Sequence, residues 1–161
     1  MTSQVLSSQL SPTAIDVFVR LLQGHAAATR ELSADLVREH GLTINDYEAL
    51  LRLAQADERR LKRVELAESL LLTPSGVTRL LDGMERAGYV EKGSCDTDAR
   101  VTYAVLTAAG LEKLREASSS HVAQVRAFFE QRFSEDELAA LAQLLGRLQG
   151  SGDDVPDCSP P

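Results

Sequence analysis

The chain has 161 residues, a length that suits one domain with extensions. With 43% hydrophobic and 25% charged residues it has the composition of a folded globular protein and not of a disordered one. Its 17 Lys and Arg against 24 Asp and Glu give a formal net charge of −7, which at face value argues against nonspecific binding to nucleic acid or to an anionic membrane.

Residues 1–10 are rich in Ser and Gln and read as a flexible N-terminus. Ser11-Pro12 has the form of an N-cap followed by proline at the first helical position. Ile15, Phe18, Val19, Leu22, Ala26, Thr29, Leu32 and Leu36 then recur every three or four residues, which predicts a long first helix stopped by Gly41. Thr43 starts a second helix, with Asp46 as a capping-box variant and Leu42 placed to staple onto Tyr47. Its apolar face is Tyr47, Leu50, Leu51 and Ala54, and a cationic cluster of Arg59, Arg60, Lys62 and Arg63 follows.

A short helix is predicted over 64–71. Thr73-Pro74 repeats the cap-and-proline signal and opens a helix to Ala87, whose inner stripe is Val77, Leu80, Leu81 and Met84. Gly88 stops it. Residues 89–92 and 100–106 read as two strands of a hairpin around a polar turn, with Val101, Tyr103 and Val105 on one face of the second. Thr107 caps a further long helix marked by Leu111, Leu114, Val122, Val125, Phe128 and Phe129. Ser134 with Glu137 forms a capping box for a last helix carrying Leu138, Leu141, Leu144, Leu145 and Leu148. Residues 150–161 are Gly, Ser, Asp and Pro with almost no apolar side chain, the pattern of a disordered acidic tail.

Several chemistries find no support. No apolar run reaches the ~20 residues of a membrane span, and residues 1–11 lack the cationic and apolar segments of a secretory signal. Cys95 and Cys158 form no CxxC pair, and His25, His40 and His121 are scattered, so neither a disulfide framework nor a metal site is expected. A reduced, cytoplasmic protein without cofactor follows as the expectation. No nucleophile with a paired base and no phosphate loop suggests an enzyme.

Two helices joined by a short turn and followed by a hairpin make a winged helix-turn-helix. The expected fold is therefore mainly α with a small β-hairpin wing, flanked by further helices. Such a motif lays its second helix in the DNA major groove. The outer face of the 73–87 helix carries Ser75, Thr78, Arg79 and Asp82 at i, i+3, i+4, i+7. Ser, Thr and Arg reach base edges or phosphates, and arginine pairs bidentately with guanine. Gly76 permits close backbone approach, and the helix N-terminus, where Thr73 caps, offers N–H groups to a phosphate. The bland alternative is the polar side of an ordinary amphipathic helix. The cation run leads to where the chain would cross the phosphate backbone, with Arg63 a candidate contact.

The stretches Glu65-Leu66-Ala67-Glu68, Thr73 through Val90, Asp96-Thr97-Asp98-Ala99-Arg100 and Leu106-Thr107-Ala108-Ala109-Gly110 resemble the MarR family of transcriptional regulators (multiple antibiotic resistance regulators). The Asp-x-Arg of the wing followed by Leu-Thr-x-x-Gly is the most specific part. The resemblance implies a homodimer that binds a pseudo-palindromic operator on double-stranded DNA, built from dimerisation helices at 11–42 and 108–149 around a DNA-binding lobe at 43–107. Independently, the Phe128, Phe129 and Phe133 cluster and the leucines of the last helix need a lid that one small domain does not supply. The resemblance further implies that Arg100 enters the minor groove while Asp98 orients its guanidinium. It also implies a repressor released by a small phenolic or carboxylate effector, for which His25 and Tyr47 are candidate ligands. Candidate DNA-binding residues are thus Arg63, Thr73, Ser75, Gly76, Thr78, Arg79, Asp98 and Arg100. The competing reading is a winged-helix protein–protein interaction module without DNA readout, which has no need of cations at both Arg79 and Arg100.

The distribution of charge qualifies its sum. Arg52 through Tyr103 holds nine Lys/Arg and nine Asp/Glu, leaving eight cations against fifteen anions elsewhere. A neutral lobe with placed arginines on an acidic body predicts specific, salt-sensitive binding with weak nonspecific affinity.

Overall fold

The computed structural model describes residues 13–70, 72–94 and 101–148. Along the chain run α1 (Ala14–His40), α2 (Ile44–Gln55), a 3-10 turn (Asp57–Arg59), β1 (Arg60–Lys62), α3 (Arg63–Ser69), α4 (Pro74–Arg86), β2 (Val90–Ser94), β3 (Thr102–Leu106), α5 (Ala108–Glu130) and α6 (Glu135–Gly146).

Side-chain caps set most of these boundaries. Thr43 donates its N–H to Asp46 Oδ2 at 2.8 Å while its hydroxyl accepts from Asp46 N at 3.2 Å, a full capping box. Ser134 and Glu137 build the same box at the start of α6, at 2.8 and 3.4 Å. Gly41 ends α1 in the left-handed region, with φ 68°. Helix α1 starts two residues later than Ser11-Pro12 predicts. Its N-cap is Thr13, whose box with Asp16 satisfies two orphan donors; Ser11 and Pro12 lie outside the described residues.

The sheet has three antiparallel strands in the order β1-β3-β2, one more than the predicted hairpin. β1 pairs Arg60 with Val105 and Lys62 with Tyr103. β2 pairs Val90 with Leu106 through to Ser94 with Thr102. The inward side of β3 is Ala104 and Leu106, one register step from Val101, Tyr103 and Val105. The Tyr103 ring instead lies under the Arg60 guanidinium, 5.1 Å from its centroid.

Helix α2 forms the middle of the core and packs on α1, α4, α5 and the sheet. Leu36, Leu50, Leu53, Leu66, Leu81 and Leu114 are fully buried there. Each contributes about 2 kcal/mol by removing its side chain from water. Along α5 the buried residues are Gly110, Leu111, Leu114, Ala117, Ser118 and His121, whereas Val122, Val125, Phe128 and Phe129 are half-buried. Polar contacts tie α1 to α5 and to the turn after it: His40 Nε2 with Ser120 Oγ at 2.7 Å, Gln124 Nε2 to Glu39 Oε1 at 3.0 Å, and Arg132 Nη2 to Glu31 Oε2 at 3.2 Å. The amino-terminal half of α1 stays uncovered, with Ile15 74% and Phe18 59% exposed. No described residue of α6 is buried. Among the described residues no helix is long and apolar enough to cross a membrane.

Candidate nucleic-acid interface

Helix α4 is positioned from within by Val77, Leu81 and Met84, all buried, with Leu80 half-buried. Its outer face then follows from helical geometry, and Ser75, Thr78, Arg79 and Asp82 are all exposed. The Thr73 hydroxyl accepts from Gly76 N at 3.1 Å and lies 3.2 Å from Ser75 Oγ. A Cβ on Gly76 would sit 3.2 Å from that hydroxyl, so the glycine gives the cap its room. Thr78 donates its hydroxyl proton to Pro74 O at 2.9 Å, leaving oxygen lone pairs outward. Arg79 Nε reaches Ser75 O at 3.4 Å, and no carboxylate pairs with Arg79 among the described residues. Hydroxyls and a cation thus share one exposed edge, the combination that meets phosphates and base edges.

The cation run is less available than its sequence suggests. Arg60 pairs with Glu58 at 2.7 Å and Lys62 with Glu65 at 3.0 Å. The Lys62 side-chain and backbone hydrogen bonds also lower the pKa of Glu65. Arg63 lies 3.8 Å from Glu85 in α4. Sheet register further separates the run, with Arg60 opposite Val105 near the open end of the β2–β3 hairpin and Lys62 opposite Tyr103, nearer the Ser94–Thr102 end that leads into the wing turn. Glu58 and Arg59, the residues that turn the chain into β1, both hold left-handed φ values, 53° and 54°. Asp98, Arg100, Cys95 and Cys158 lie outside the described residues.

The two candidate effector ligands occupy different surroundings. His25 is exposed and lines a shallow groove with Thr29, Arg30 and Arg38, all on α1. Tyr47 is core, and its hydroxyl lies 3.1 Å from Ser118 Oγ, which donates to Leu114 O at 2.7 Å. Beside it sits a residue that periodicity did not single out. His121 packs its ring 4.6 Å from that of Tyr47, and its buried Nδ1 meets no hydrogen-bond partner among the described residues. Burial, and then the nearby His40, hold the His121 pKa below its ordinary value of 6.5. A polar residue in an i+3/i+4 series with Leu114, Ala117 and Ser118 was the available signal.

A capped helix pair, with the outer helix exposed along its polar side and backed by a three-stranded antiparallel sheet, defines a winged helix-turn-helix. Residues 40–101 match the model of the MarR family. The HTH-type transcriptional repressor YetL of Bacillus subtilis is 31% identical over 108 residues, which are 67% of this chain and 64% of that protein, a little under two thirds of its length. AbsC, a MarR-family transcriptional regulator from Streptomyces coelicolor, is 31% identical with a TM-score of 0.75, covering 87% of this chain and 94% of that one. Sco3205 from the same organism, a MarR-family regulator solved in complex with DNA, is 26% identical with a TM-score of 0.75 and covers 93% and 95%. The chain belongs to the MarR family, whose members are transcriptional regulators and not enzymes.

Proposed function

We propose that the protein is a homodimeric repressor that binds a pseudo-palindromic operator through residues 43–107 and dimerises through 11–42 and 108–149. What carries the DNA-binding reading is the exposed Ser75, Thr78, Arg79 and Asp82 face above the Thr73 cap. Gly76 and Thr73 bring the helix end to a phosphate, and Arg63 is a weaker candidate because Glu85 holds it. Arg100 reads the minor groove, oriented by Asp98. The DNA complex of Sco3205 and the name of YetL support DNA binding and repression. The uncovered apolar residues of α1, of α6 and of the turn after it, among them Ile15, Phe18, Leu144, Leu145 and Leu148, support a second copy as their cover.

Release by a small phenolic or carboxylate effector completes the reading, with His25 as its ligand once a partner closes the groove on α1; Tyr47 is buried, its hydroxyl already held by Ser118, and does not line that groove. Gel shifts on the DNA upstream of the protein's own gene, at low salt, test the core claim. A discrete shift that Arg100→Ala weakens by about 1–3 kcal/mol is expected. No shift with any promoter fragment would refute it.

A further inference from the structure

Taking α4 as the helix that reads DNA, we propose that Glu85 is a positioning residue for recognition. Its single carboxylate fixes α4 against both α3 and the wing strand β2, and so sets how well the chain tells its operator from other DNA. Glu85 Oε1 lies 3.8 Å from Arg63 Nη2, and Oε2 lies 3.2 Å from Lys92 Nζ. Arg63 is the first residue of α3, Glu85 stands in the last turn of α4, and Lys92 is the middle residue of β2. Among the described residues of the 43–107 lobe, these two ion pairs join different helices and strands. The Lys62–Glu65 pair is local, and Arg60–Glu58 spans only one turn into β1.

The bridge is sheltered. The Arg63 and Glu85 side chains keep 23% and 22% of their exposure, so water screens them less than the surface pairs. Arg63 Nη2 is buried and makes no hydrogen bond among the described residues, which leaves the Glu85 charge to compensate it. Apolar packing through Val77, Leu81 and Met84 sets the depth of α4 but is non-directional. A carboxylate held from two sides adds the missing restraint on rotation. Base edges are read by several side chains on one face at once, so a small rotation of α4 spoils them together. Phosphate contacts, which carry no sequence information, tolerate it.

The test uses the full chain, a duplex that the wild-type protein selects from a random-sequence pool, and a scrambled duplex of the same composition. In Glu85→Gln the affinity for the selected duplex is expected to fall about tenfold, by loss of 1.4 kcal/mol. Affinity for the scrambled duplex holds or rises, because a negative charge has gone. Lys92→Gln is expected to lower the same ratio and to add little on top of Glu85→Gln.

Tighter binding of Glu85→Gln to both duplexes would overturn the proposal, leaving Glu85 a bulk charge. Equal losses of Lys92→Gln on both duplexes, with a shallower salt slope, would also overturn it and make Lys92 a phosphate contact. Should Glu85→Gln lose its far-ultraviolet circular dichroism, Lys92→Gln decides alone, since that side chain is 57% exposed, and an unchanged ratio overturns the proposal. Failure of the wild-type chain to select any duplex is a different result, which removes the DNA-binding reading itself.

Discussion

Gly110→Ala isolates the seam between the wing and α5. A Cβ at Gly110 would lie 2.1 Å from the Tyr89 carbonyl oxygen and 2.8 Å from Leu106 Cδ1, where ordinary contact begins near 3.4 Å. The shortfall against the carbonyl is about 1.3 Å. That carbonyl cannot easily retreat, because it accepts from Thr107 N at 3.1 Å, and the Thr107 hydroxyl holds the neighbouring Gly88 carbonyl at 2.7 Å. Either α5 lifts from the turn or the cap of α5 breaks. Overpacking against backbone belongs at the upper end of the usual range, about 3 kcal/mol, which lowers the melting temperature of a domain this size by about 6–12 °C. Gly83→Ala is the matched control: its Cβ meets nothing within 4 Å, and alanine's helix propensity makes it neutral or stabilising by up to about 1 kcal/mol. Urea and thermal unfolding followed by circular dichroism, at one fixed protomer concentration, measure both. Equal stability of the two variants, or a Gly110→Ala loss below about 1 kcal/mol, would refute the reasoning.

Arg79→Ala should cost about 1–3 kcal/mol on the selected duplex and little on a scrambled one, by fluorescence anisotropy; an unchanged ratio removes Arg79 from base reading. Phe18→Glu should give a monomer by light scattering after size exclusion, and persistence of a dimer would show that the exposed half of α1 is not the contact. His121 is a weaker base in the folded chain than its ordinary 6.5, so just below that pH the unfolded chain binds more protons. Stability should therefore decline as the pH falls through about 6.5 and level off below the folded value. His121→Leu should flatten that limb of the curve, and an identical slope in the variant would contradict the assignment. Thr73→Ala should cost about 1 kcal/mol of stability, and no loss in urea unfolding would mean that the cap is redundant.

What the sequence made legible is mostly what local chemistry decides. The boxes at Thr43–Asp46 and Ser134–Glu137, the Thr73 cap and the Gly41 stop are each written within four residues, and each is present. The start of α1 was misplaced because two cap signals overlap and the Thr13–Asp16 box satisfies more donors than Ser11-Pro12 offers. β1 was missed for a different reason. Arg60-Leu61-Lys62 alternates over only three residues, too few to read as a strand, and its only ladder is to Val105, Ala104 and Tyr103, some forty residues away. The outer face of α4 was legible because its inner stripe is so regular. The partners of the cations were not, since Glu85 meets Arg63 and Lys92 only once α3, α4 and β2 are packed.

Those pairings change what the net charge of −7 means. In the lobe, Arg60, Lys62, Arg63 and Lys92 each have a carboxylate within 4 Å, so they project less field than their count implies. Arg59, Arg79 and Arg86 are exposed and without such a carboxylate among the described residues, and of these Arg79 lies on the outer face of α4 with Ser75 and Thr78. A protein of this kind gains little from bulk attraction, because its acidic body opposes it and four of the lobe's nine cations already stand beside carboxylates. Affinity then has to come from a few aligned contacts, which pay off only on a matching sequence. On the proposed role of Glu85, the carboxylate that quiets Arg63 and Lys92 is also the one that holds α4 in alignment, so the Glu85→Gln measurement tests weak nonspecific binding and geometric selectivity together.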